Sequence, residues 1–456
     1  MKTNYIKLLS LLLGAGGLIA SCSDSVDVGS VSEKSFETPA KTMVFLTDKY
    51  SNMKADSVVF NNAATIDMYV NVNQTLDKQE QFSVTYDPSV LEAYNKEHNT
   101  SYQALPENLV TVGEATQVEK GNSKSAPISV AYKTDAALEE NGTYAIPLSL
   151  KGKGVETSKD GNFVLLVKDI SKMPDCHKNS PFINISMPEV NNSNPLNALC
   201  FTLKNSKKYF FDQVVLFAGN INYNEETGEV YNKNNENVTQ LLNYKEKYLA
   251  PLRAKGIKVI MGILGNWDRA ALTNLTEEGA KAFARHMKAM CDAYDLDGVF
   301  LDDEYSKPGN YPGFESPYSN QASRLCYYLK EYLGKDRLVE VYVYGGTAQL
   351  SAYKGKQPGE FIDFAIQDYG QIYDLSGNYP GLKRTGMIQA SSECTQSRYI
   401  YQSNINKIVS EKYGGTMWFA FDPSIARYNL TVMQNVSRTF YNEDVIYNEK
   451  PFKKDW

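Results

Sequence analysis

Eight short apolar runs recur between residues 182 and 421, and several of the spans between them carry the 3.6-residue rhythm of amphipathic helices. The runs occupy residues 182–187, 213–217, 259–264, 298–302, 338–344, 361–366, 387–390 and 416–421. Strands that alternate with helices pair in parallel through crossover connections. Helices fit residues 236–254, 277–294 and 321–333. Eight such units in about 280 residues match one closed (β/α)8 TIM barrel, expected over residues 176–456. A doubly wound open sheet is the rival α/β fold. No glycine-rich phosphate fingerprint opens any of the helices, and polar residues gather after the strands' C-terminal ends instead, which disfavours it.

Ahead of the barrel the rhythm is different. Ile66, Met68, Val70 and Val72 alternate with Asp67, Tyr69, Asn71 and Asn73, and the same beat returns at Phe82–Val84–Tyr86, Ile128–Val130–Tyr132 and Ile146–Leu148–Leu150. Period two marks half-buried strands, so a small mostly-β sandwich domain is expected over residues 41–171. One helix, at residues 90–95 with Ser89 as its cap, interrupts it, and residues 171–175 form a linker. The layout resembles the small domain that often precedes catalytic domains in surface lipoproteins of gut anaerobes, which implies a spacer or glycan-binding role at most.

The first 21 residues resemble a lipoprotein signal peptide: Lys2 and Lys7, an apolar run from Leu8 to Ile19, then Ile19-Ala20-Ser21-Cys22 as lipobox. Cys22 is the expected lipidation site, residues 22–40 a flexible tether, and the outer membrane of a Gram-negative bacterium, facing the cell surface, the expected location. No later segment approaches the roughly 20 apolar residues of a membrane span, so the membrane is met only through the lipid anchor. The other cysteines, Cys176, Cys200, Cys291, Cys326 and Cys394, are widely spaced and odd in number, and read as small buried hydrophobes. A formal charge of -6 excludes the basic surface of a nucleic-acid binder, whereas 32 tyrosines give carbohydrate binding a modest lift.

The fourth apolar run ends Leu296-Asp297-Gly298-Val299-Phe300-Leu301-Asp302-Asp303-Glu304-Tyr305. Alternation puts Phe300, Asp302 and Glu304 on one face and Val299, Leu301 and Asp303 on the other. Two carboxylates therefore share the strand's C-terminal tip, where barrel active sites lie. Like charge and an apolar neighbour both raise proton affinity, so one acid can stay protonated near neutral pH. A solvated acidic loop, or a divalent-cation site built from Asp302, Asp303 and Glu304, is the blander alternative. The three histidines, His98, His177 and His286, are scattered, no nucleophile elbow or phosphate loop is present, and no metal or cofactor is expected.

These residues carry a resemblance. The run 296–305 is similar to the signature strand of glycoside hydrolase family 18, in particular its endo-β-N-acetylglucosaminidases of the endo-H and endo-F type. Supporting matches are Glu189-Val190-Asn191, Asn194-Pro195-Leu196-Asn197, Gly262-Ile263-Leu264-Gly265-Asn266 and Gln367-Asp368-Tyr369. The resemblance implies hydrolysis of the GlcNAc–GlcNAc core of N-linked glycans of glycoproteins by substrate-assisted retention, an exception to the two-carboxylate scheme. Glu304 would be the acid and base, Asp302 would hold the substrate's acetamido N–H, and Gln367 and Tyr369 would orient the acetamido group. Asn266, Trp267, Tyr305 and Trp418 are candidate substrate contacts, the three rings by sugar stacking. Phe300 stands where many chitinases carry Asp, and Trp267 where relatives commonly show His. The rival readings are a chitinase-like β-1,4-N-acetylglucosaminidase and a glycan-capture lipoprotein without turnover.

Overall fold

The structure, a computed structural model, describes residues 42–139, 142–155, 157, 159–173, 175–396 and 400–456. The expected signal peptide, tether and Cys22 lie outside the described residues.

Alternation governs the N-terminal half. In the strand Ala63–Val72, Ile66, Met68, Val70 and Val72 are buried while Asp67, Tyr69 and Asn71 are partly exposed. It pairs antiparallel with Val44–Asp48 on one side and Ile128–Lys133 on the other, and Val110–Val112 completes a four-stranded sheet. A second sheet runs Ala55–Phe60, Phe163–Asp169, Thr143–Gly152, Glu80–Tyr86, Thr116–Val118, with Gln103–Ala104 beside Thr143–Gly152. Leu46, Met68, Val70 and Val130 from the first sheet meet Phe82, Ile146, Leu148 and Leu165 from the second in one core. The interrupting helix is Pro88–His98, and its cap is Asp87 rather than Ser89. Asp87 Oδ1 accepts the Ser89 N–H at 3.0 Å, which leaves Pro88, needing no N–H partner, at the first helical position.

The eight expected runs are all strands. The first barrel strand, Ile183–Met187, pairs in parallel with the second, Gln213–Asn224, and with the eighth, Gly415–Phe419, so the sheet closes. Between them come Lys258–Leu264, Gly298–Leu301, Leu338–Tyr342, Phe364–Ile366 and Met387–Glu393 as third to seventh strands, each parallel to its neighbours. Alternation divides each strand between two cores. Ile185, Val215, Ile260, Phe300, Tyr342, Ile366, Ile388 and Met417 fill the barrel interior. Val214, Val259, Val299, Leu301, Val339 and Val341 face outward, onto helix residues such as Phe283, Met287, Leu325 and Leu329. Helix Glu277–Tyr294 falls where the sequence predicts it, with the Thr276 hydroxyl accepting the Gly279 N–H at 3.1 Å. Helix Ser319–Leu333 starts two residues early. The expected helix over 236–254 is three pieces, Glu236–Asn243, Lys245–Tyr248 and Ala250–Ala254. Tyr244 leaves helical geometry, and Pro251 cannot donate the bond a continuous helix needs. Cys176, Cys200, Cys291, Cys326 and Cys394 are buried and free.

That broken segment carries Lys247 to the sandwich. Its buried Nζ lies 2.9 Å from Asp56 Oδ1 and 2.8 Å from Asp455 Oδ2, joining the sandwich, the barrel and the C-terminal segment. Burial raises the Asp56 carboxyl above its ordinary range, and the Lys247 charge works against it.

Inside the barrel, Glu340 sits fully buried between Phe300 and Phe364 on the neighbouring strands. Burial, aided by the Asp363 charge, pushes it up to about 8 from its ordinary 4.5, so the folded chain holds it neutral at neutral pH. The folded state keeps a proton that the unfolded chain releases above pH 4.5, so this group's effect on stability worsens as pH rises and levels off near pH 8. Glu340→Gln is expected to flatten that slope and to raise stability above pH 8 by a few kcal/mol, on the order of 1.4 kcal/mol for each pH unit of the window. Urea denaturation of both proteins at pH 5, 7 and 9 measures it; parallel slopes would contradict it.

Candidate active site

The fourth strand ends at Leu301, and the next residues turn their carboxylates in different directions. Phe300 packs into the barrel interior, and Asp302 follows on its face, only 6 % exposed. Its N–H is held by Ile263 O at 2.9 Å, and its Oδ1 has no hydrogen-bond partner among the described residues. Asp303 turns away, its Oδ2 accepting the Gly346 N–H at 2.8 Å. Glu304 is half-buried at the barrel mouth.

Beneath these acids lies a floor of rings. Phe300 and Tyr342 have centroids 6.2 Å apart, Tyr342 and Tyr369 6.1 Å, and Tyr369 and Phe419 6.2 Å. Such walls desolvate carboxylates without offering them a counter-charge. Burial therefore raises Asp302 well above the usual carboxylate range, reinforced by the charges of Glu304, Asp303 and Asp368. Burial also raises Glu304, with Asp368 and Asp303 adding to it and a hydrogen bond from Tyr305 working against it. Among the described residues no lysine or arginine pairs with Asp302, Asp303, Glu304 or Asp368. Two neighbouring acids that both favour protonation can divide one proton, which is what acid catalysis near neutral pH requires.

Tyr369 reaches this group: the charges of Asp302 and Asp368 both act on its hydroxyl, which burial raises above the ordinary phenol range. Gln367 is fully buried, its Oε1 accepting the Asp368 N–H at 3.1 Å and its Nε2 without a partner among the described residues. Asn266 lies half-buried after the third strand and donates to Asn222 Oδ1 at 3.1 Å. Trp267 and Tyr305 are 63 % and 51 % exposed, with ring centroids 5.6 Å apart, an exposed aromatic surface beside Glu304 with the Lys307 ammonium over the Trp267 ring, 5.2 Å from its centroid.

Trp418 is a correction. It is fully buried, outside the barrel wall, with Phe210 6.1 Å away and its Nε1–H donated to Thr416 Oγ1 at 2.9 Å, so no sugar can stack on it. On the eighth strand Met417 faces inward, which turns Trp418 to the outer face. Tyr342 and Asp368 escaped the sequence reading. Tyr342 shares the face of Leu338 and Glu340 on a strand already predicted, and Asp368 sits between Gln367 and Tyr369, so alternation and adjacency were the signals available.

A closed parallel barrel with paired, desolvated acids at the end of its fourth strand and rings around them is the architecture of a carbohydrate-cleaving hydrolase. Known proteins narrow the class. The chain is 46% identical over 277 residues to Endo-beta-N-acetylglucosaminidase F1 of Elizabethkingia meningoseptica, covering 59% of this chain and 81% of that one. It is 34% identical over 212 residues to an Endo-beta-N-acetylglucosaminidase of a Flavobacterium species (strain SK1022), covering 46% of this chain and 65% of that one. Structures of EndoBT-3987 from Bacteroides thetaiotamicron, one with a Man5GlcNAc product and one in complex with a Man9GlcNAc2Asn substrate, align at 30% identity with a TM-score of 0.58, covering 90% of this chain and 97% of theirs. Residues 38–157 match a family model described as an N-terminal domain. The chain belongs to the endo-β-N-acetylglucosaminidase family.

The placement of Glu304 depends on a glycine. Gly265 donates its N–H to Glu304 O at 3.0 Å, and a Cβ there would stand 2.1 Å from that oxygen and 2.5 Å from Ser306 N. Gly265→Ala must displace the Glu304 backbone. Its hydrolytic rate is expected to fall about 100-fold, the usual cost of an ångström-scale misplacement. Comparison of kcat/KM and circular dichroism with the unaltered protein tests this; an unchanged rate would contradict it.

Proposed function

We propose that this chain is a surface-anchored endo-β-N-acetylglucosaminidase that hydrolyses the β-1,4 bond between the two core N-acetylglucosamines of N-linked glycans, leaving one sugar on the protein. The carrying observation is the pair Asp302 and Glu304 above the barrel's aromatic floor, in a chain of this family. Glu304, half-buried and proton-retaining, gives its proton to the glycosidic oxygen as the bond to the anomeric carbon breaks. The substrate's own acetamido oxygen closes onto that carbon, so no side chain attacks, and an oxazolinium ion forms. Asp302, with an idle Oδ1, accepts the acetamido N–H and balances the positive charge developing there. Gln367, with an idle Nε2, and Tyr369 orient the acetamido group. Glu304, now ionised, takes a proton from water, whose oxygen opens the ring at the anomeric carbon with retention. Asn266, Trp267 and Tyr305 form the wall met by the sugars on either side of the bond.

Cys22, as lipidation site, places the enzyme on the outer membrane, facing outward. A Cys22→Ser variant of the full chain is expected to leave the membrane fraction of its host; unchanged fractionation would reject the anchor.

Glu304→Gln is expected to lower glycan release at least 1000-fold while glycan affinity survives. Mass spectrometry of glycans freed from high-mannose, hybrid and complex glycoproteins, with binding of the variant by calorimetry, checks both. Products ending in a single reducing N-acetylglucosamine support the reading. Cleavage of chitin oligomers instead, or an unchanged rate in Glu304→Gln, would reject it.

A further inference from the structure

We propose that Asp368, pinned by Tyr342, is a positioning residue of this reaction, fixing the Tyr369 backbone and keeping a proton on the Asp302–Glu304 pair. The inference rests on the reading of Glu304 as the acid. One oxygen, Asp368 Oδ1, accepts two hydrogen bonds at 2.6 Å, from the Tyr342 hydroxyl and from the Tyr369 N–H. Tyr342 is buried, so this bond is sheltered from water and ties the end of the fifth barrel strand to the turn that follows the sixth. The Tyr369 ring, whose backbone is thereby held, packs 6.1 Å from the Tyr342 ring.

The charges acting on the two acids are of one sign. Acting on the pair and Asp368 are Asp303, whose carboxylate is drawn to Gly346 but whose charge still reaches them, Tyr305 from the fourth-strand end, Tyr342 and the Tyr344 stacked on it from the fifth, Tyr369 from the sixth, and Glu393 from the seventh, which acts on Tyr369; the cation Lys307 lies over the Trp267 ring, 5.2 Å from its centroid. None of the carboxylates among them is ion-paired with lysine or arginine among the described residues. In such a setting each further negative charge makes the loss of a proton harder. Asp368 contributes to both acids of the pair and is itself fixed by two donors, so its charge cannot swing away. It touches neither the bond that breaks nor the bond that forms; it acts through Glu304 and Tyr369.

Asp368→Asn tests the charge alone, because Asn keeps an oxygen for both donors. The measurement is kcat/KM against pH on a neutral high-mannose glycopeptide for the full chain and its variants. In Asp368→Asn the alkaline limb is expected to move to lower pH by about half a unit or more, since a proton held less firmly is lost sooner. Asp368→Glu, which restores the charge, is expected to return the limb to its original pH at a reduced kcat. Tyr342→Phe keeps the charge and loses its anchor, so kcat should fall about 10-fold with the limb in place. A limb that stays put in Asp368→Asn, or that moves equally in Asp368→Glu, overturns the proposal and leaves Asp368 a structural residue. If the unaltered chain frees no glycan, the proposed function fails instead, a separate result.

Discussion

The structure turns on the removal of water from two acids that follow the end of the fourth barrel strand. Asp302 and Glu304 sit where the fourth strand leaves the barrel, above Phe300, Tyr342 and Tyr369, and among the described residues no lysine or arginine is ion-paired with either. An ion pair there would lock the carboxylates in their ionised form. Its absence from the described residues leaves proton affinity high, and this one electrostatic choice makes the other features intelligible. Glycine is needed at 265 so that the neighbouring loop can approach Glu304, and Asp303 is drawn off to Gly346 so that it does not crowd the same face.

Barrel closure provides the precision that such a choice demands. The first strand bonds to both the second and the eighth, so the strand ends form a ring with no loose edge. The second strand continues past the barrel to Asn224 and turns back antiparallel over Glu229–Lys233. Asn222 on that extension receives Asn266, so the loop behind Trp267 rests on a sheet rather than on solvent.

Legibility of the sequence followed periodicity. The alternating strands of the sandwich and helix Glu277–Tyr294 were readable because one face of each is buried, and the eight barrel strands because both faces are, which leaves short continuous apolar runs. Asp302 follows the inward face of Phe300 as alternation predicts, whereas Glu304 lies past the end of the strand, where alternation no longer places a side chain. What resisted was set by contacts distant in the chain. Trp418 reads as a stacking ring until the register of Met417 turns it outward. The helical run 236–254 reads as continuous, yet Tyr244 and Pro251 break it where Lys247 must reach another domain. The partnership of Tyr342 with Asp368 spans 26 residues and leaves no local mark.

Lys247 is shared property. Its ammonium is buried against Asp56 of the sandwich and Asp455 of the C-terminal segment, while its backbone belongs to the barrel's flank. Were the sandwich to peel away, Lys247 would meet water and keep Asp455, so what is lost is the Asp56 ion pair together with the Tyr50–Tyr244 ring contact beside it. Prising the two domains apart therefore undoes a charged contact and an aromatic one at the same place.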